Sequence, residues 1–332
     1  MFGVTVPSTC FPTAVTLGSS WDVELLEEVG RALGDEALAE GVSVILGPGL
    51  NLKRHPNGGR NFEYFSEDPV VSGKLSAAMV RGIQSRGVAA CLKHFAVNNQ
   101  ETARFIVNTI VDERTLRELY LAGFEIAVKE SNPRTVMSAY NRINGAYCGD
   151  SRRLLTGILR DEWGFDGMVM SDWGATNDRV ESIHAGQDLE MPSSGGAHGG
   201  AVAAAVESGE LAMADLDLAL ERIVRVALEG AEVSDPSASY DMDAHHALAR
   251  RVAAAGTVLL DNDGILPLDD VASVAVIGAC AEHPRFQGAG SSGVKETMLD
   301  DALSSFRDVF GAAAVGYAAG YDVQTGETSE SL

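Results

Sequence analysis

Six short apolar runs, each followed by a longer segment, punctuate the chain from residue 10 to about 230: residues 11–17, 42–46, 88–92, 135–139, 168–171 and 188–191. Runs this short are not helices, and their unbroken apolar character is that of strands buried on both faces, as in a parallel sheet. The segments between them carry helix starts. Asp68-Pro69 places a side-chain acceptor at an N-cap and a residue without an N–H at the next position, followed by the stripe Val71, Leu75, Met79 and Ile83. Asp22 precedes Leu25, Leu26, Val29 and Leu33, and Asp112 precedes Leu116, Leu119, Tyr120 and Phe124. Each strand thus feeds a helix that covers it. Six such units fit either a closed (β/α)8-type barrel lacking part of its complement or an open doubly wound sheet, and the pattern alone leaves both open.

A helix from Asp215 to about Gly230 is followed by the polar, proline-bearing, aperiodic residues 231–239, which read as an inter-domain linker. Beyond it come a helix over 246–260, a turn at Asp263-Gly264, a strand over 273–278 and a second apolar run at 314–317. Two strands do not make a stable sheet domain alone, so the second domain reads as cut short.

The charge balance narrows the partners. Lys+Arg 25 against Asp+Glu 47 leaves a net charge of −22, and so acidic a surface repels nucleic-acid backbones and anionic lipid. No apolar run approaches the roughly 20 residues of a membrane span, and Met1-Phe2-Gly3-Val4 lacks the basic start of a signal peptide. Cys10, Cys91, Cys148 and Cys280 are far apart, with no C-x-x-C, and read as free thiols; a cytoplasmic location follows as the expectation. No cofactor or metal is expected. The G-x-G-x-x-G string Gly288-Ala-Gly290-Ser-Ser-Gly293 stands some distance after its strand, and His245-His246 is a doublet whose members do not share a helix face. Homo-oligomerisation is left open.

In parallel α/β architectures ligands meet the carboxyl ends of the strands. The run ending at Leu92 enters Lys93-His94, that ending at Ala139 enters Tyr140-Asn141, and that ending at Ser171 enters Asp172-Trp173, while the loop after Leu46 carries Lys53, Arg54, Arg60, Glu63 and Glu67. Carboxylate, ammonium, imidazole, phenol, guanidinium and indole on one face suit a sugar, whose hydroxyls take hydrogen bonds and whose apolar ring face takes an aromatic. A carbohydrate is therefore the expected partner.

These residues sit in strings that resemble glycoside hydrolase family 3, the β-glucosidase family. The strings are Cys10-Phe-Pro-Thr-Ala14, Trp21-Asp22, Gly47-Pro-Gly-Leu-Asn51, Gly59-Arg-Asn-Phe-Glu-Tyr-Phe-Ser-Glu-Asp-Pro69, Lys93-His-Phe-Ala-Val-Asn-Asn-Gln-Glu101, Asp112-Glu-Arg-Thr-Leu116, Met137-Ser-Ala-Tyr-Asn141, Val169-Met-Ser-Asp-Trp-Gly174 and Asp188-Leu-Glu-Met-Pro192. Residues 259–268 and Pro284-Arg-Phe-Gln-Gly-Ala-Gly-Ser-Ser292 extend the likeness into the second domain. The resemblance implies a TIM-type (β/α)8-like barrel, incomplete at its N-terminus, over residues 1–232, a linker and connecting helix over 233–255, and the start of an α/β sandwich domain over 256–332. It further implies a retaining exo-β-glycosidase that releases terminal β-D-glucosyl residues.

Carried residue by residue, the resemblance makes Asp172 the nucleophile and makes Arg60, Lys93 and His94 binders of the sugar hydroxyls. Tyr140 matches a phenol that steadies the nucleophile, Met137 a wall residue, Trp173 the aromatic beside the scissile bond, and Arg104 a further, weaker match. Arg60 also stands close to Glu63 and Glu67 in sequence, where a local ion pair is the plainer reading. Two departures are expected to matter. The family's Asp-Gly-Pro string would precede Gly3, and its acid/base Glu would follow Leu332, so this chain alone is expected to be weakly active. Other readings are a β-xylosidase or related pentosidase, a Schiff-base aldolase using Lys93, and a non-catalytic sugar-binding product.

Overall fold

The computed structural model describes residues 6–269, 271–287, 290–322 and 324–328. The first residues of the chain, Gly288 and Ala289 of the glycine-rich string, and the last four residues lie outside these. The chain divides into two compact units, one of residues 12–241 with 250–257, the other of residues 1–11, 242–249 and 258–332.

In the larger unit, strands β1 (Val44–Ile45), β2 (Ala89–Phe95), β3 (Thr135–Ser138) and β4 (Met168–Ser171) form one sheet in the order 1-2-3-4, every pair parallel. Leu189 continues it by a parallel bridge to Met170. A doubly wound sheet reverses its strand order at a switch point; a monotonic order is how a barrel winds. The fold is accordingly α/β of the barrel type. Both faces of β3 and β4 are buried, which explains the unbroken apolar runs.

The covering helices are α1 (Ala14–Ser20), α2 (Val23–Ala39), α3 (Pro69–Gln84), α4 (Ala122–Ser131), α5 (Arg179–Ala185), α6 (Gly199–Ser208) and α7 (Met213–Glu232). A wide-turn helix, Arg153–Glu162, carries the crossover from β3 to β4. Asp22 caps α2 by accepting from the Leu25 N–H at 2.9 Å, and Asp68 caps α3 by accepting from Val70 and Val71. Asp112 accepts from the Thr115 N–H at 3.0 Å, as its place before an apolar stripe predicts. Helices α2 and α3 cross where only glycine fits: a Cβ on Gly82 would stand 2.2 Å from the Glu27 carbonyl oxygen, and one on Gly30 2.4 Å from that of Met79.

Two of the six expected strands are corrected. Residues 11–17 do not pair with the sheet; Ala14 opens α1, whose Leu17 is buried while Val15 is exposed, an apolar run too short for periodicity to separate strand from helix. Residues 188–191 contribute only the bridge at Leu189.

In the smaller unit β5 (Val274–Ile277) and β6 (Val315–Ala318) pair in parallel. Helix α9 (Ala302–Phe310) connects them, after α8 (Met242–Gly256), which is shared between the units. Val276, Leu303 and Val315 form this unit's core with Phe306, Phe310 and Tyr317 around them. Pro7–Ser8 pairs with Lys295–Glu296 in the same unit. No helix among the described residues is long and apolar enough to cross a membrane.

Candidate active site

The carboxyl ends of β1 to β4 bring the polar residues together. Strict alternation along β2 would send Lys93 and His94 to opposite faces, but the pairing of β2 with β3 shifts register between Leu92 and Phe95, and such an irregularity re-aims side chains. Both then reach the loop after β1. Arg60 donates to Glu63 through Nε and to His94 Nε2 through Nη2 at 2.9 Å, and Lys93 Nζ stands 3.7 Å from the other Glu63 oxygen. The alternative of a local pair of Arg60 with Glu63 is therefore also realised, and it belongs to the cluster instead of competing with it.

Asp172 follows β4 and is buried, 7% exposed. Its Oδ1 accepts from the Trp173 N–H at 2.7 Å. Its Oδ2 is buried, makes no hydrogen bond to a described group, and lies 3.5 Å from His94 Nε2. That contact is not an ion pair. Burial first, then the charges of Arg60, Lys93 and Arg104, hold the His94 imidazole well below its ordinary range, so it is neutral. Tyr64 meets His94 Nδ1 at 3.0 Å.

Tyr140, after β3, donates its hydroxyl to the Trp173 carbonyl at 3.0 Å. Burial, reinforced by the negative charge of Asp172, pushes the phenol above its usual range, so it remains a donor beside the carboxylate. The Arg104 guanidinium lies 4.6 Å from the centre of the Tyr140 ring and pairs with Glu101 at 3.0 Å. Phe105 packs against the same ring, centroid to centroid 4.5 Å. Burial raises the Glu101 carboxyl despite the hydrogen bond from Arg104. Direct contacts thus tie together Asp172, His94, Arg60, Lys93, Tyr140 and Arg104, and the Trp173 backbone serves both Asp172 and Tyr140 while its side chain stays 38% exposed.

Met137 is placed differently. It sits in an apolar cluster with Cys91, Met168, Met170 and Val226, and is 2% exposed. Cys91 and Met170 precede Lys93 and Asp172 by two residues, so this cluster is an apolar layer beneath the polar one. Glu190, outside the cluster, pairs with His198 at 2.8 Å. Sequence reasoning passed over Tyr64, Asn51, Glu101 and Phe105 as individual side chains, since their partners are distant in the chain. Their only signal was membership of the matching strings or of the loop after His94.

Two cavities of about 400 and 360 Å³ open elsewhere, around Asp166, Arg222 and Arg225, with Arg134 and Met168 marking the amino ends of β3 and β4. Their arginines are taken up: Arg134 by Glu229, Arg152 by the His184 carbonyl, Arg160 and Arg222 by Asp188, and Arg225 by Asp166 and Glu221. The unpartnered Asp172 oxygen is at the other end of the sheet, with the polar cluster. No group of three or more His, Cys, Asp or Glu among the described residues could hold a metal.

The neutral His94 makes a testable contribution to stability. In the unfolded chain an imidazole titrates near 6.5, whereas the folded one does not take up the proton there. The unfolded state then binds more protons as pH falls below about 6.5, so stability is lost in that direction by up to about 1.4 kcal/mol per pH unit from this group. His94→Gln is expected to lose Tm less steeply than the wild type below about pH 6.5 in thermal melts; parallel curves would contradict this.

Residues 3–226 match the pattern of the glycosyl hydrolase family 3 N-terminal domain. The chain is 52% identical over 329 residues to thermostable beta-glucosidase B of Acetivibrio thermocellus, covering 98% of this chain and 44% of that protein. It is 46% identical to an exo-alpha-(1->6)-L-arabinopyranosidase of Bifidobacterium longum, over 91% of this chain and 41% of the relative. A crystal structure of a beta-glucosidase from Bifidobacterium adolescentis superposes with a TM-score of 0.92 at 43% identity, covering 99% of this chain and 48% of that one. The chain spans less than half the length of each of these relatives.

Proposed function

Because the chain belongs to glycosyl hydrolase family 3, matched through its N-terminal domain, we propose that it carries the nucleophile and the sugar-recognising face of a retaining exo-β-glucosidase. The observation that carries this reading is the buried Asp172 Oδ2, which has no hydrogen-bond partner and faces a neutral imidazole in a cluster that includes three cations, Arg60, Lys93 and Arg104. Oδ1 is fixed by the Trp173 N–H, so the carboxylate is held in one orientation. The names of the relatives from Acetivibrio and Bifidobacterium adolescentis support glucose as the sugar.

In this mechanism the Asp172 oxygen forms a bond to the anomeric carbon as the bond to the aglycone oxygen breaks, and an acid protonates that oxygen. Water then attacks the same carbon, the ester to Asp172 breaks, and the water's proton passes to the former acid; two inversions leave the β configuration. Lys93 and Arg60, the latter held by His94, take the sugar hydroxyls, Tyr140 and Arg104 flank the carboxylate, and the partly exposed Trp173 indole covers a ring face. The acid is not one of the carboxylates gathered here, since Glu63 is occupied by Arg60 and Lys93, and Glu101 by Arg104.

A second reading, a pentosidase, is favoured by the arabinopyranosidase relative. Proton NMR of freshly cleaved p-nitrophenyl β-D-glucoside is expected to reveal β-glucose as the first product; α-glucose first would overturn the retaining mechanism. A kcat/KM higher for p-nitrophenyl α-L-arabinopyranoside than for the glucoside would select the second reading.

A further inference from the structure

We propose that Tyr64 and Asn51 are positioning residues that fix His94 as its Nδ1–H tautomer, so that His94 Nε2 accepts from Arg60 and holds the remaining guanidinium N–H donors toward a single sugar hydroxyl. The inference rests on the sugar-site reading above and deepens it. It follows from counting donors. A guanidinium has only donors, and Arg60 Nη2 lies 2.9 Å from His94 Nε2, so that nitrogen carries the lone pair. A neutral imidazole then has its proton on Nδ1, which donates to the Tyr64 hydroxyl at 3.0 Å. Burial and the surrounding cations exclude the doubly protonated ring.

Asn51 locks this arrangement from behind. Its Oδ1 accepts from the Asn98 N–H at 3.3 Å, which fixes which end of the amide is which. Its Nδ2 donates to the His94 carbonyl at 2.9 Å and reaches the Tyr64 hydroxyl at 3.4 Å. Asn51 and Tyr64 are each 2% exposed and His94 1%, so water does not substitute for these contacts. The one lone pair of Nε2 is taken by Arg60, so what the pair offers a sugar is a remaining guanidinium N–H, for which a hydroxyl oxygen is the acceptor. A deoxy sugar removes that acceptor.

The imidazole nitrogen shifts of His94, read by NMR on 15N-histidine-labelled protein without sugar, are expected to show a protonated Nδ1 and a bare Nε2. A protonated Nε2 overturns the inference whatever the activity, and needs no variant to fold. Tyr64→Phe is expected to raise KM for p-nitrophenyl β-D-glucoside on the order of tenfold, as one lost buried hydrogen bond implies. With the 2-, 3-, 4- and 6-deoxy glucosides, the penalty is expected to vanish for one analogue alone. An equal penalty for all four marks Tyr64 as merely structural and overturns the inference. Failure of D-glucose to bind, with the expected tautomer present, would instead count against the sugar reading.

Discussion

Asp172→Asn is expected to cut kcat for aryl β-glucosides by a factor on the order of 10⁴–10⁶, the range seen when a catalytic nucleophile is removed, while D-glucose still binds. The amide is nearly isosteric, and its oxygen can keep the 2.7 Å hydrogen bond from the Trp173 N–H. Its nitrogen would take the place of Oδ2, 3.5 Å from the lone pair on His94 Nε2, where a donor is tolerated. What disappears is the negative charge that traps the anomeric centre in the proposed mechanism. Turnover and the D-glucose inhibition constant, measured on wild type and variant, separate this from misfolding: a kcat within tenfold of wild type removes Asp172 from the chemistry.

Asp188→Asn is expected to cost about 3–5 kcal/mol of folding stability, the usual effect of breaking a buried charge network by removing one member. Asp188 is 1% exposed; its Oδ1 accepts from Arg222 at 3.0 Å, and its Oδ2 from Arg160 at 2.8 Å and the Val169 N–H at 2.7 Å. Burial outweighs pairing on both sides, pushing the carboxyl up and the Arg160 guanidinium down to about 10. Removing the carboxylate leaves two arginines facing an amide that has a single acceptor oxygen. The network clamps the crossover helix and α7 to β4, the strand that ends at Asp172. Urea denaturation measures the loss, and a change under about 1 kcal/mol would contradict a structural role for the network.

What could be read from the chain was local. The Asp22, Asp68 and Asp112 caps act over three residues, and the side chains that end β2, β3 and β4 announce themselves because an apolar run stops there. What stayed hidden was set by tertiary packing. Arg104 lies over Tyr140, 36 positions away, and Tyr64 meets His94 across 30. The run at 11–17 has no strand neighbour to make it extended, and became α1. Met137 matched a wall residue in the resemblance, and its burial between Cys91 and Met170 emerges only when the strands are aligned.

The central claim is that the Asp172 carboxylate bonds to a sugar's anomeric carbon. The most direct measurement is to treat the protein with 2,4-dinitrophenyl 2-deoxy-2-fluoro-β-D-glucoside, digest it and map the modified peptide by mass spectrometry. A fluoroglucosyl adduct on Asp172, absent from Asp172→Asn, is the predicted result; an adduct on another residue, or labelling of the Asn variant at the wild-type rate, would contradict the account.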